Sequence, residues 1–175
     1  MSGSRKRILV GASVLAVLVL GVGLYLFQPW RLVTTRQVDD TLVAPPIAAA
    51  PSAPDAPAAP QTEPIVVGFG DFRSLDHGTT GQAQLVRLPD GRHVVQFANL
   101  DTSDGPDLRV WLSPKQSTSA EQDFEQGYLE LGFLKGNKGN QVYEVPPTAT
   151  VDDYRSVIIW CKRFSSGFGV APLSG

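Results

Sequence analysis

Gln82-Ala83-Gln84-Leu85-Val86-Arg87-Leu88-Pro89-Asp90-Gly91-Arg92-His93-Val94-Val95-Gln96-Phe97 (QAQLVRLPDGRHVVQF) sets two β-prone runs on either side of a Pro-Asp-Gly triplet. Proline presets φ, while aspartate and glycine favour a tight reversal, so residues 82–97 read as a β-hairpin. The same grammar continues downstream. Leu108, Val110 and Leu112 alternate with Arg109 and Trp111, which places the three aliphatics on one face of a strand. Tyr128–Leu131 and Gln141–Val145 flank the Gly-rich stretch 135–140, so a second hairpin is expected there. Val157 to Trp160 is apolar on both faces and reads as a central, buried strand. Helical periodicity is confined to the N-terminus and, briefly, to residues 119–126. Seven or so short strands between residues 65 and 175 predict an all-β domain, a single antiparallel β-sandwich or small barrel.

Upstream of this domain the composition changes twice. From Ala44 to Pro64 the chain is dominated by alanine and proline, PPIAAAPSAPDAPAAPQTEP, and half of its 14 prolines fall there. Proline removes a backbone donor and fixes φ, so the expected state is an extended, polyproline-like spacer. Fully extended at about 3.1 Å per residue, it would reach on the order of 60 Å. Before it, Ile8 to Phe27 carries no charge and follows Arg5-Lys6-Arg7. At about 1.5 Å per residue, such a helix matches a hydrocarbon core roughly 30 Å thick. The run is longer than a signal-peptide apolar region, and no small-x-small site closes it, so an uncleaved signal anchor is expected. The basic cluster predicts a cytoplasmic N-terminus and an extracytoplasmic C-terminal domain, with the cell membrane as the first partner.

The formal net charge of -2 gives no reason to expect nucleic-acid binding. A single cysteine, Cys161, excludes an internal disulfide and every multi-cysteine metal pattern. It lies in Ile158-Ile159-Trp160-Cys161-Lys162-Arg163-Phe164, sharing a strand face with Val157 and Ile159 while Trp160 shares the other with Ile158. Four readings of this thiol stand side by side: a small core residue, a redox-active thiol favoured by Lys162 and Arg163, a thiolate ligand of haem or another metal, and an intermolecular disulfide. His77 sits in a loop before the first long strand, where its imidazole could face Cys161 across a haem. His93, beside the hairpin turn, reads as surface. The Asp101–Asp107 loop is rich in carboxylates, but its spacing misses the EF-hand pattern and fits ordinary turn chemistry. Trp111, on the polar side of its strand, reads either as an exposed aromatic platform or as a ring covering a sheet edge. No nucleophile elbow, phosphate loop or HExxH helix is present, so hydrolase chemistry has no support.

Several of these stretches together resemble the DM-thirteen domain family. They are His77 with Gly81; Asn99-Leu100 leading to Gly105-Pro106-Asp107-Leu108 and Val110-Trp111-Leu112-Ser113; Leu131-Gly132 with Leu134-Lys135-Gly136; Gly139-Asn140-Gln141 with Tyr143 and Val145-Pro146; then Ile159-Trp160-Cys161, Phe164, and Phe168-Gly169 with Ala171. The likeness spans about Val67 to Leu173. It implies a β-rich extracytoplasmic module with a role in electron transfer through the single cysteine, as a bare thiol or a haem ligand. Cys161 is then the redox position, with His77 the second candidate haem ligand and Gly105, Pro106, Asp107 and Trp160 as motif positions around it. Trp111 stands where that family often has tyrosine. The resemblance implies an electron-transfer module rather than a stand-alone enzyme, with an envelope protein or redox partner not encoded in this chain. The competing expectation is a β-sandwich recognition module for an envelope protein or glycan, in which Cys161 is only structural. The expected organisation is a cytoplasmic stretch 1–7, an anchor helix 8–27, a linker 28–64 and a β domain 65–175.

Overall fold

The computed structural model describes residues 2–47 and 63–174. Its contacts divide the chain into two units, Met1–Thr34 and Thr35–Gly175. The first is α1 (Ser2–Phe27) followed by a 3-10 turn over Pro29–Val33. From Ile8 to Phe27 nearly every side chain of α1 is exposed, and the helix is long and apolar enough to cross a membrane. Gln28 takes a left-handed backbone, φ 42°, and Pro29 supplies no N–H, so the helix stops there.

The second unit contains β1 (Gln37–Asp39), β2 (Ile65–Asp71), β3 (Arg73–Ser74), β4 (Thr79–Arg87), β5 (His93–Thr102), β6 (Leu108–Ser113), β7 (Leu129–Phe133), β8 (Lys138–Val145), β9 (Ser156–Cys161) and β10 (Ser166–Pro172). They form two five-stranded sheets, ordered β1-β8-β5-β4-β2 and β3-β10-β9-β6-β7. Both sheets are open, so the domain is a sandwich and not a closed barrel. Every strand pair is antiparallel except β1 with β8. Alternation sorts the residues. Ala83, Leu85, Val95, Phe97, Tyr143 and Val145 of the first sheet meet Leu108, Val110, Leu112, Val157, Ile159 and Cys161 of the second in one interior core. The opening hairpin is β4 and β5, with Val86 opposite Val94 and Gln84 opposite Gln96. The buried strand expected at residues 157–160 is β9, at the centre of the second sheet.

Two features differ from the sequence reading. The Gly-rich stretch 135–140 does not close a hairpin. β7 pairs with β6 in one sheet and β8 with β5 in the other, so this stretch crosses between sheets. Its glycines serve a close approach. Gly139 has φ +97°, and a Cβ there would overlap the Val38 carbonyl, while one on Gly136 would overlap that of Arg36. The second difference concerns residues 28–64, expected to be spacer throughout. β1 already belongs to the first sheet, and residues 43–47 lie against that sheet's outer face, where Ala44 is buried with Val86 and Val94. The sequence signal was weak because β1 is only three residues long and the 43–47 contacts are made mainly by backbone atoms. The rest of the Ala/Pro tract, 48–62, lies outside the described residues.

Candidate functional site

The residues singled out around Cys161 come from separate parts of the chain, and the strand register gathers them at one end of the sandwich. Cys161 closes β9, paired with Leu108 at the start of β6 and with Ser166 at the start of β10. The backbone N–H of Lys162 donates to the Asp107 carbonyl at 3.0 Å, which ties the Gly105-Pro106-Asp107 turn to the end of β9. Gly105 packs closely: a Cβ there would come within 3.0 Å of Leu108 and 3.1 Å of the Phe168 ring. His77 stacks on that same ring from outside, with centroids 3.9 Å apart. Phe168 thus lies between the His77 loop and the core cluster that holds Cys161.

A hydrogen-bonded chain fixes this end. Thr79 Oγ1 lies 2.9 Å from the Phe168 carbonyl and 2.7 Å from Thr102 Oγ1. A carbonyl can only accept, so the Thr79 hydroxyl donates to Phe168 and takes its second bond from Thr102. The Phe168 carbonyl also accepts from the Leu75 N–H at 3.1 Å. Thr102 exchanges two 2.9 Å bonds with Asn137, and the side-chain oxygen of Asn137 accepts from the Arg36 N–H at 2.6 Å. Bonds therefore run without a break from Arg36, near the start of the domain, to Phe168. Thr79, Thr102 and Asn137 are all buried and went unremarked in the sequence. The only sign of them there is a pair of threonines beside Gly78 and Gly81.

Cys161 is 0 % exposed and faces the interior core. Of the two cations beside it, Lys162 turns to a carboxylate. Lys162 Nζ is 3.2 Å from Glu130, whose carboxylate also takes Arg109 at 2.6 Å, and Arg163 is exposed. The carboxylates of the 101–107 loop are engaged with protein groups too: Asp101 pairs with Lys138, Asp104 accepts from the Gly105 N–H, and Asp107 pairs with Arg109. Among the described residues no group of three His, Cys, Asp or Glu is arranged to hold a metal ion. His93 is half-buried rather than at the surface, and burial pushes its imidazole pKa down, helped by Arg87.

The residues present do not fit a haem. Iron could reach the Cys161 sulfur only through an interior already filled by Leu108, Val110, Ile159 and Phe168. His77 is engaged with the far side of Phe168, and clefts of about 450 and 220 Å³ are lined by other residues. Trp111 offers no exposed platform either. It is 2 % exposed, stacked on Tyr128 at 3.7 Å and beside Trp160 at 5.1 Å, in a second small core beneath Phe124.

A family model described as "Electron transfer DM13" matches residues 71–173. No curated protein and no solved structure matches the chain.

Proposed function

Because the chain belongs to the electron transfer DM13 family, we propose that its β domain passes electrons through Cys161 while the N-terminal helix holds it to a membrane. The observation that carries this reading is convergence. His77, Gly105-Pro106-Asp107, Trp160-Cys161 and Phe168 come from loops and strands far apart in sequence and are tied to one end of the sandwich.

Since the sulfur is fully buried, it reacts only when that end opens. Opening means parting the Phe168–Thr79–Thr102 contacts, a local event below the free energy of global unfolding. The exposed thiolate then attacks a disulfide on a partner. A sulfur–sulfur bond forms between Cys161 and that partner as the partner's own bond breaks. The bonding electron pair leaves on the departing sulfur, which takes up the proton Cys161 has lost. Arg5-Lys6-Arg7 ahead of the helix supports a cytoplasmic N-terminus, which sets the domain in the compartment where disulfide partners persist.

The rival reading is a recognition module with a structural cysteine, and complete burial of the sulfur is the feature that favours it. The denaturant dependence of thiol labelling separates the two. The full chain in detergent is treated with an aromatic disulfide reagent at low denaturant, and the labelling rate at Cys161 is followed. Electron transfer through Cys161 requires labelling by a local opening, which exposes little surface and therefore responds weakly to denaturant. A rate that follows global unfolding at every denaturant concentration would leave the cysteine structural and overturn the proposal.

A further inference from the structure

The outer face of the first sheet is built around three glutamines that bond to one another and to one short segment of backbone. Gln84 and Gln96 are 0 % exposed. Gln96 Oε1 accepts from the Val43 and Ala44 N–H groups at 2.9 and 3.3 Å, and its Nε2 donates to the Ala44 carbonyl at 2.7 Å and to Gln84 Oε1 at 2.6 Å. Gln84 Nε2 passes on to Gln82 Oε1 at 2.8 Å and to the Pro45 carbonyl at 3.3 Å. Gln82 closes the ladder, accepting from the Ile47 N–H at 2.9 Å and donating to its carbonyl at 3.0 Å.

The match between ladder and segment is chemical. Between the donors of Ala44 and Ile47 the ladder offers no acceptor, and the two residues there, Pro45 and Pro46, have no N–H to satisfy. Ala44 is buried among Val86 and Val94, so a larger or charged side chain there must displace its neighbours or the segment. The face thus selects an extended, polyproline-type segment with a small residue just before proline. Every polar contact is to backbone, so any segment of that pattern meets it equally. The chain repeats the Ala-Pro pair at 50–51, 53–54, 56–57 and 59–60. The three glutamines lie inside the family match, residues 71–173, whereas the segment seated on them, 43–47, lies upstream of it.

We propose that this face is a peptide seat, filled here by the chain's own residues 43–47, and that its second occupant is the same segment of another copy of this chain, so that two copies associate by exchanging straps. The exchange breaks one set of ladder bonds and forms an equivalent set, and the backbone-only contacts let either copy supply it.

The test uses complementary full-length variants in detergent micelles. Ala44→Arg leaves the seat intact but cannot fill it, whereas Gln84→Leu with Gln96→Leu leaves the segment intact but destroys the seat. Mixed and differently labelled, the two variants are expected to associate at least tenfold more tightly than either does with itself. Equal association in all three samples overturns the proposal. A measurement on the unmodified chain needs no variant to fold. An excess of a peptide spanning Thr41–Ala48 should displace the strap and speed hydrogen exchange at the Val43, Ala44 and Ile47 amides, leaving the β5 amides unchanged. No acceleration at any peptide concentration, or acceleration across the whole domain, refutes an exchangeable seat. Peptide displacement without association of the mixed variants refutes the second copy as its partner.

Discussion

The Thr79–Thr102 pair gives the sharpest test of how the Cys161 end is held shut. In Thr79→Val, two short hydrogen bonds are lost, one to the Phe168 carbonyl at 2.9 Å and one from Thr102 at 2.7 Å, along with a longer 3.3 Å contact to the His77 carbonyl. Each short bond contributes about 0.5–1.5 kcal/mol net. The Phe168 carbonyl keeps the Leu75 N–H, but the Thr102 hydroxyl, only 4 % exposed, loses the acceptor it had. An orphaned buried donor costs about 1–3 kcal/mol. The sum is roughly 2–6 kcal/mol, or on the order of 10 °C or more in Tm for a domain of this size. Thr102→Val alone loses one bond and orphans nothing, since Thr79 still donates to Phe168, so about 1 kcal/mol is expected. The double variant removes both hydroxyls and the orphan with them. It should therefore be more stable than Thr79→Val alone, a favourable coupling of about 1–2 kcal/mol. Thermal unfolding of the four proteins supplies the cycle, and the rate of Cys161 labelling under native conditions supplies a second readout. Thr79→Val should label fastest. Additive losses, or a Thr79→Val protein whose thiol labels no faster than the parent's, would show that this pair does not latch the site.

Other expectations concern the strap and the N-terminal helix. Asp40 is held below the ordinary carboxylate range by its hydrogen bond from Lys135, opposed by burial and aided by the Val142 N–H. A depressed folded value means its stabilisation is complete above an unfolded pKa of about 3.9 and is lost as pH falls through the lower folded value. Strap-amide exchange, corrected for intrinsic rates, should rise only below about pH 4, and Asp40→Asn should flatten that rise; an unchanged profile would rule Asp40 out. Gly139→Ala places a Cβ against the Val38 carbonyl at φ +97°, so β1 should detach at a cost of about 1–3 kcal/mol while the β4–β5 amides keep their protection; a variant as stable as the parent would mean that β1 contributes nothing. A reporter fused after Gly175 should be active only outside the cytoplasm, and a cytoplasmic signal would overturn the proposed orientation.

Much of the fold is legible because period-two alternation survives the burial of both faces. In β9 it separates Cys161, Ile159 and Val157 from Trp160 and Ile158 without any knowledge of the partner strands. The hairpin at Pro89-Asp90-Gly91 is legible for a local reason, its turn chemistry. What stays hidden is long-range. Nothing local says whether β7 and β8 pair with each other or with different sheets, since glycines that permit a tight turn equally permit Gly139 to pass under Val38. The strap is hidden because Ala-Pro-Pro looks the same whether solvated or seated on an amide ladder, and the glutamines that bind it read as ordinary outward-facing polar residues. At the site, alternation marks Cys161 as inward-facing, yet the closure above it depends on threonines whose partners lie many residues away.

The three-residue β1 also changes what the sandwich shows its neighbours. Without it, β8 would be an eight-residue rim strand with unpaired backbone groups. β1 covers part of that rim in parallel, and Asp39 and Asp40, bonded to Asn140 and Lys135, add charge beside it. At the opposite rim, Phe69 of β2 is bridged by Ser174 from the C-terminal end. Exposed rim strands of identical sheets are prone to lateral polymerisation into a continuous ladder. Here the segment that follows the N-terminal helix doubles as the stopper against that outcome, so its loss should first appear as aggregation and only later as unfolding.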